Sequence, residues 1–335
     1  MKKKFSTHKK RFSFSAPKWI LAICLASIAG NVSATQPQKS GKAYVVSNAH
    51  LDTQWLWTVQ TSIIDYIPRT IHQNLALIRD YPDYIFNFEG AVKYNWMKEY
   101  YPLDYEKVKE AIKSGRWHIS GSSWDANDVN VPSPESSFRN ILLGQEFYKK
   151  EFGLKSTDIF LPDCFGFGYT LPSIAKHCGL IGFSTQKLGW RKKPFYGDSK
   201  IPFTIGRWKG IDGAELICAL DCGSYVYNFN EDDLTKDSDL MQRIERDPMH
   251  TAYRYFGAGD RGGSAMPVSA MAIEKAQTSG DGPIEIVSAS SDQLYKDYLH
   301  SGKVEELPVF DGELLMDVHA SGCYTSQSAM KRFNR

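Results

Sequence analysis

The sequence predicts an α/β fold with a largely parallel sheet, and three observations carry that prediction. Short apolar runs alternate with amphipathic segments from Lys42 to about Ala289, the order that builds a parallel sheet covered by helices. Runs such as KAYVVSN hold an unbroken apolar stretch, here Ala43 to Val46, as strands buried on both faces do. Residues capable of chemistry follow directly after these runs, where parallel α/β folds place their sites, at the carboxyl ends of the strands. An open doubly wound sheet and a closed barrel both satisfy these observations.

Taken in order, Lys42 to Asn48 reads as the first strand. A helix follows, with Ile64, Ile67, Ile71, Leu75 and Ile78 forming one apolar stripe at spacings of three and four, and Pro82 stops it. Tyr84 to Phe88 is the next strand. Tyr105 to Ser114 is a polar amphipathic helix closed by Gly115, and Trp117 to Gly121 is the third strand. Ser133-Pro134-Glu135 opens a helix with a hydroxyl at the N-cap, proline at N1 and an acid in the first turn; that helix runs to about Phe152. Strands at Asp158 to Pro162 and Ile181 to Thr185 flank a helix from Leu171 to His177. Ile205 to Trp208 and Glu215 to Ala219 read as a hairpin about Gly210 to Gly213. Thr251 to Phe256 is a strand, Pro267 to Thr278 a helix and Ile284 to Ala289 a strand.

The first residues stand apart from this scheme. Met1 to Lys18 carries Lys2, Lys3, Lys4, Lys9, Lys10, Arg11 and Lys18 and no acid, and the apolar run Trp19 to Gly30 leads to Val32-Ser33-Ala34. This is the pattern of a secretory signal cut after Ala34, so residues 1–34 are expected to be a signal peptide and the protein exported, periplasmic or extracellular. The other reading, a transmembrane helix, needs about 20 apolar residues, more than the run offers. The whole chain carries a net charge of +2; without the seven basic residues of the leader it is −5 and shows no basic patch, which excludes a nucleic-acid partner. The rest, 42% hydrophobic and 23% charged over the 335-residue chain, suits one large α/β domain or two small ones rather than a fibre or a disordered segment. Five cysteines remain beyond the leader (Cys164, Cys178, Cys218, Cys222 and Cys323), an odd number with no CxxC pair, so they read as small buried groups rather than a thiolate zinc site.

The polar exceptions sit at the strand ends. His50 and Asp52 follow the first strand, Trp124 and Asp128 the third, Asp163 the fourth, Lys187 the fifth, and Asp260 the strand Thr251 to Phe256. His50 and Asp52 are alternate residues leaving a strand, so they share a face. Imidazole nitrogen with carboxylate oxygen suits zinc or a similar divalent ion, although a plain hydrogen-bonded pair also fits. Asp163, in FLPDCFGFG, is either a placed carboxylate or a helix N-cap. Asp260, in FGAGDRGG, is either a site residue whose flanking glycines admit a ligand close to the backbone or part of a surface turn. Trp55 and Trp57 offer planes on which sugar rings pack. Two carboxylates in one cleft are what glycoside hydrolysis requires.

Together the segments AHLDTQWLW (Ala49 to Trp57), GSSWDANDVNVPSPES (Gly121 to Ser136), FLPDCFGF (Phe160 to Phe167), FSTQKLGW (Phe183 to Trp190), GAGDRGG (Gly257 to Gly263) and DGELLMDVHASGCYTSQSAMKRFNR (Asp311 to Arg335) resemble glycoside hydrolase family 38, the α-mannosidases, and within it the bacterial and fungal cytosolic and vacuolar branch. The resemblance implies a retaining exo-α-mannosidase acting on mannose-containing glycans. It implies a (β/α)7-type barrel over residues 35–335, cut off at its C-terminal end, with a helical bundle and β-sandwich domains beyond. His50, Asp52 and Asp163 are its implied zinc ligands, Asp163 also its nucleophile, and Asp260 its general acid/base. Trp55, Trp124, Asp128 and Lys187 are its implied substrate-side residues, Lys187 in the place of a basic residue that steadies the nucleophile. A further histidine ligand is expected beyond Arg335, since His319 lies too early in the family order. Ala320 and Cys323 depart from the arginine and threonine usual there. Two alternatives stand beside this reading: an inactive or carbohydrate-binding remnant of such an enzyme, and a metal-dependent polysaccharide deacetylase, which would ordinarily offer a His-x-x-x-His pair that this sequence lacks.

Overall fold

Strand β1 (Gly41–Ala49) is the axis of the molecule: seven of its nine residues are buried, because neighbours lie along both its edges and apolar layers cover both its faces. The structure, a computed structural model, describes residues 39–189, 201–230 and 233–316. The expected signal peptide, Trp190, His319, Ala320, Cys323 and the rest of the segment after Met316 lie outside the described residues.

After β1 come a single turn α1 (Val59–Thr61), a π-helical turn (Ser62–Tyr66) and α2 (Ile67–Asp80). The extra residue in the π turn changes the register of the expected stripe: Ile67 and Ile71 are fully buried while Ile64 is 65% exposed. The turn is pinned where the Trp57 indole N–H donates to the buried Ser62 hydroxyl (2.9 Å), which itself donates to the Thr53 carbonyl (2.9 Å). Strand β2 (Phe86–Glu89) leads into α3 (Ala91–Tyr100), a helix the sequence reading does not contain, and then α4 (Pro102–Lys113), β3 (Trp117–Ser120) and α5 (Pro134–Phe152). Helix α5 begins as expected, with the Ser133 hydroxyl accepting from the Ser136 N–H (3.2 Å), and ends at Gly153 in the left-handed region. Strand β4 (Asp158–Phe160), α6 (Leu171–His177), β5 (Gly182–Ser184), β6 (Ile205–Lys209) and β7 (Glu215–Ala219) follow, then α7 (Ser238–Arg246), β8 (Thr251–Ala258), α8 (Pro267–Ser279), β9 (Ile284–Ser288), α9 (Gln293–Ser301) and β10 (Val309–Asp311).

The strands form two five-stranded sheets. In the first, β1 pairs in parallel with β8 along its length, with β9 over residues 41–45 and with β2 at Ser47 and Asn48; β2 in turn pairs with β3. The second runs β10-β6-β7-β5-β4, parallel except for the β6–β7 hairpin. The α/β class and the parallel pairing are as expected, but a closed barrel is not: among the described residues no continuous ladder joins the two sheets. Single backbone bonds connect their margins, from Ser122 N–H to the Asp158 carbonyl (3.0 Å) and from Tyr255 N–H to the Cys222 carbonyl (2.8 Å). One apolar cluster draws on both sheets, with Tyr44 and Val46 from β1, Tyr253 and Tyr255 from β8, Phe160 from β4 and Ile217 from β7. Each such buried side chain contributes about 1.5–3 kcal/mol. This packing fixes the carboxyl ends of β1, β4 and β8 relative to one another.

Candidate active site

The β1–β8 pairing continues past the ends of both strands. His50 N–H donates to the Ala258 carbonyl (3.0 Å), Asp52 N–H to the Asp260 carbonyl (2.9 Å), and Gly262 N–H to the His50 carbonyl (3.1 Å). These bonds lock the segment holding His50 and Asp52 to the loop holding Asp260. The glycines of that loop serve packing rather than ligand access. A Cβ at Gly257 would sit 2.0 Å from the Asn48 carbonyl oxygen, and one at Gly259 1.9 Å from the Tyr225 ring. Asp260 itself is held at φ 60°, a conformation that costs a non-glycine residue on the order of 1–2 kcal/mol and that occurs preferentially where a side chain must be aimed.

Tyr225 is the residue that joins the parts, and the sequence reading omits it. Its hydroxyl donates to Asp260 Oδ1 (2.8 Å), and its ring lies against the His50 imidazole with 5.3 Å between centroids. Burial raises the Tyr225 pKa, and the negative charges of Asp163, Asp260 and Asp52 raise it further.

His50, Asp52 and Asp163 line one cavity of about 280 Å³, with Asp128, Cys164 and Phe165 on its wall; that is near the lower end of the range of about 300–1,000 Å³ for small-molecule sites. A larger groove of about 620 Å³ lies at the amino ends of β1 and β8, lined by Lys42, Tyr44, His250 and Thr251 among others. It holds His250, His300, Glu285 and Asp297, but it lies at the opposite ends of the strands from those where parallel α/β folds place their sites, so position rather than size selects the smaller cavity. Asp163 is paired with Lys187, whose side chain is 2% exposed and whose ammonium lies 4.3 Å from the Phe165 ring centre. The Cys164 thiol donates to the Asn127 carbonyl (3.0 Å), and burial pushes its pKa up, away from a thiolate.

The remaining expected residues divide. Asp128 lines the cavity, but one oxygen also caps the turn through the N–H groups of Asn130 and Val131 (2.9 and 3.2 Å). Trp55 is 62% exposed, edge-on to Trp57, a free plane beside the Asp52 segment. Trp124 is not on the cavity wall; its ring packs edge-on against Phe147 of α5.

Two residues absent from the sequence reading lie behind His50. Glu89, the last residue of β2, accepts from His50 Nδ1 (3.1 Å) and from Lys93 Nζ of α3 (2.8 Å), and all three are buried. The only sequence signal for them is a Glu-x-x-x-Lys spacing at a strand-to-helix junction, which on an exposed helix would be an ordinary surface pair. On the other side of the ring, His50 Nε2 is buried without a hydrogen bond, 3.3 Å from Asp52 Oδ1 and poorly aligned with it. Burial alone would lower the His50 pKa, but the Asp52 and Glu89 carboxylates outweigh it and push it up to about 10. Glu89 is opposed by burial in the same way, yet Lys93 and His50 hold it down at about 2.

An unpartnered imidazole nitrogen beside a carboxylate is the donor set a divalent cation takes, so His50 and Asp52 fit such an ion. Asp163 shares their cavity but is turned to Lys187, and among the described residues no three His, Cys, Asp or Glu side chains converge on one point. The expected three-ligand centre is therefore present only as a pair with its third member across the cavity.

Residues 40–313 match the family model described as Glycosyl hydrolases family 38 N-terminal domain. Alpha-mannosidase G of Dictyostelium discoideum is 33% identical over 298 residues, covering 88% of this chain and 26% of that protein. Alpha-mannosidase 2C1 of Homo sapiens is 30% identical over 293 residues, 87% of this chain and 27% of that protein. The chain thus spans about a quarter of the length of the curated relatives it matches. Among solved structures, an alpha-mannosidase from Enterococcus faecalis V583 superposes with a TM-score of 0.64 at 21% identity, over 82% of this chain and 31% of that one, a likeness of fold.

Proposed function

Since the chain belongs to glycosyl hydrolase family 38, we propose that it hydrolyses terminal α-linked mannose from glycans with retention of configuration. The observation that carries this is the meeting of Asp52 and Asp163 in one cavity at the carboxyl ends of parallel strands, with Asp260 tied to the Asp52 backbone and to the Tyr225 hydroxyl beside it. The family's named relatives are alpha-mannosidases, and the substrate class comes from them. The two sheets are then the halves of a (β/α)7-type barrel, a reading supported by the backbone bonds at their margins.

In the first step an Asp163 oxygen attacks C1 of the mannosyl residue. The bond from C1 to the leaving oxygen breaks, and that oxygen takes the proton of Asp260. Lys187, buried beside Asp163, holds the carboxylate in place and offsets its charge. In the second step water attacks C1 and gives its proton to Asp260, and the Asp163 oxygen is released, so two inversions give net retention. Asp260 is suited to this exchange because the Tyr225 hydroxyl and the bond from Asp52 N–H fix its position. A divalent metal, zinc or a similar ion, would be held by His50 and Asp52 with Asp163 and would supply a Lewis-acidic grip on the sugar hydroxyls. Trp55 offers an apolar plane to the sugar. The basic, acid-free leader supports export to the periplasm or beyond.

The test uses the purified chain with an aryl α-mannoside and a fluorinated mannosyl donor. The α-anomer should appear first by NMR, and the trapped peptide should contain Asp163. A β-anomer product, or a label elsewhere, refutes the mechanism. Mannoside binding without turnover selects the carbohydrate-binding alternative.

A further inference from the structure

The geometry points to Glu89 as a positioning residue for His50, with Lys93 holding Glu89 in place; this rests on the reading of His50 as a metal donor. Glu89 and Lys93 are 1% and 0% exposed. Two ions in the interior are costly to desolvate, and such a pair is weak support for stability, so its location matters more than its existence. That location follows from register. β2 lies beside β1 with Asn87 opposite Asn48, and two residues further along each strand are Glu89 and His50. The same Glu89 oxygen accepts from His50 Nδ1 at 3.1 Å and from Lys93 Nζ at 2.8 Å. A carboxylate only accepts, so Nδ1 keeps its proton against Glu89, and Nε2, 3.3 Å from Asp52 Oδ1, is the nitrogen that would give up its proton to a cation. Nε2 has no other partner. Tyr225 closes one face of the ring, and Lys93, over the Phe88 ring at 5.3 Å, leaves Glu89 little freedom to swing. Lys93, Glu89 and His50 thus form a relay that fixes which nitrogen meets a cation and where it points, the arrangement that tunes metal-bound histidines generally.

Titration of the metal-stripped full chain with zinc, and with cobalt(II) for its visible spectrum, tests this. Glu89→Gln keeps the shape but removes the charged acceptor. Zinc should bind about 10- to 100-fold more weakly, and the cobalt spectrum should change. The double variant Glu89→Gln/Lys93→Met removes both buried charges together, which proteins tolerate far better than one, and it should show the same loss. Proton-detected 15N NMR of the zinc-loaded wild type should find the His50 proton on Nδ1. A folded variant with zinc affinity within threefold of wild type and an unchanged cobalt spectrum overturns the proposal, as does a His50 proton on Nε2 whatever the variants do. A wild-type chain that takes up no zinc sinks the metal reading itself, a result distinct from either.

Discussion

Tyr225→Phe isolates one hydroxyl at the centre of the site. The ring keeps its contact with His50 and its place against Gly259, and only the 2.8 Å bond to Asp260 Oδ1 is lost. A hydrogen bond to a charged group is worth about 1.5–3 kcal/mol. At about 1.36 kcal/mol per tenfold in rate, that is a loss of about 10- to 150-fold where the alignment of Asp260 limits the reaction. With Asp260 as the proposed acid, the loss should fall on kcat/KM for alkyl or phenyl α-mannosides and be small for dinitrophenyl α-mannoside, whose leaving group departs without a proton. The two substrates are compared on the same preparation, with thermal melting as a control for folding. A loss below threefold on the poor leaving group, or equal losses on both, refutes the argument that Tyr225 positions the acid.

Asp260→Ala should slow poor leaving groups by about 10²–10⁴-fold, with azide restoring part of the second step; equal losses on good and poor leaving groups would remove Asp260 from the role. Gly182→Ala places a Cβ 1.8 Å from the fully buried Tyr295 ring, so the variant should lose at least the upper part of the roughly 1–3 kcal/mol that overpacking costs, and a melting temperature equal to wild type would contradict the packing. In the metal-stripped chain His50 is raised from 6.5 to about 10; the stability it contributes is complete below pH 6.5 and is lost as pH rises through 10. Glu89 is depressed from 4.5 to about 2, so its contribution is present above pH 4.5 and is lost as pH falls through 2. Melting temperature should accordingly fall at both limits, and Glu89→Gln should flatten both; a wild-type profile level from pH 6.5 to 10 would tell against the coupling.

Most of the strands and helices are legible in the sequence, as are the polar groups that follow the strands. A buried parallel strand must be apolar on both faces, so KAYVVSN declares itself, and β1 covers it. Helix starts are set by sterics and hydrogen bonds within four residues, so Ser133-Pro134-Glu135 was legible and α5 begins there. His50, Asp52, Asp163, Lys187 and Asp260 stood out because polar groups just past apolar strands are conspicuous in a linear reading. Which side chains meet is set by packing between segments far apart in the chain. Tyr225 reaches Asp260 across 35 residues and His50 reaches Glu89 across 39; the first meeting depends on β8 lying beside the segment after β7 and the second on β1 pairing with β2, neighbours that no short window encodes. For the same reason Glu89 and Lys93 carry no signal in the sequence beyond an ordinary polar spacing, since only the burial of β2 and α3 turns them into interior charges that must be paired. The π turn that exposes Ile64, the packing of Trp124 on Phe147 and the crowding that demands glycine at 257 and 259 are likewise consequences of neighbours distant in sequence. Periodicity and capping act locally along the chain, whereas the convergence of donors at one point is set by the order and register of strands.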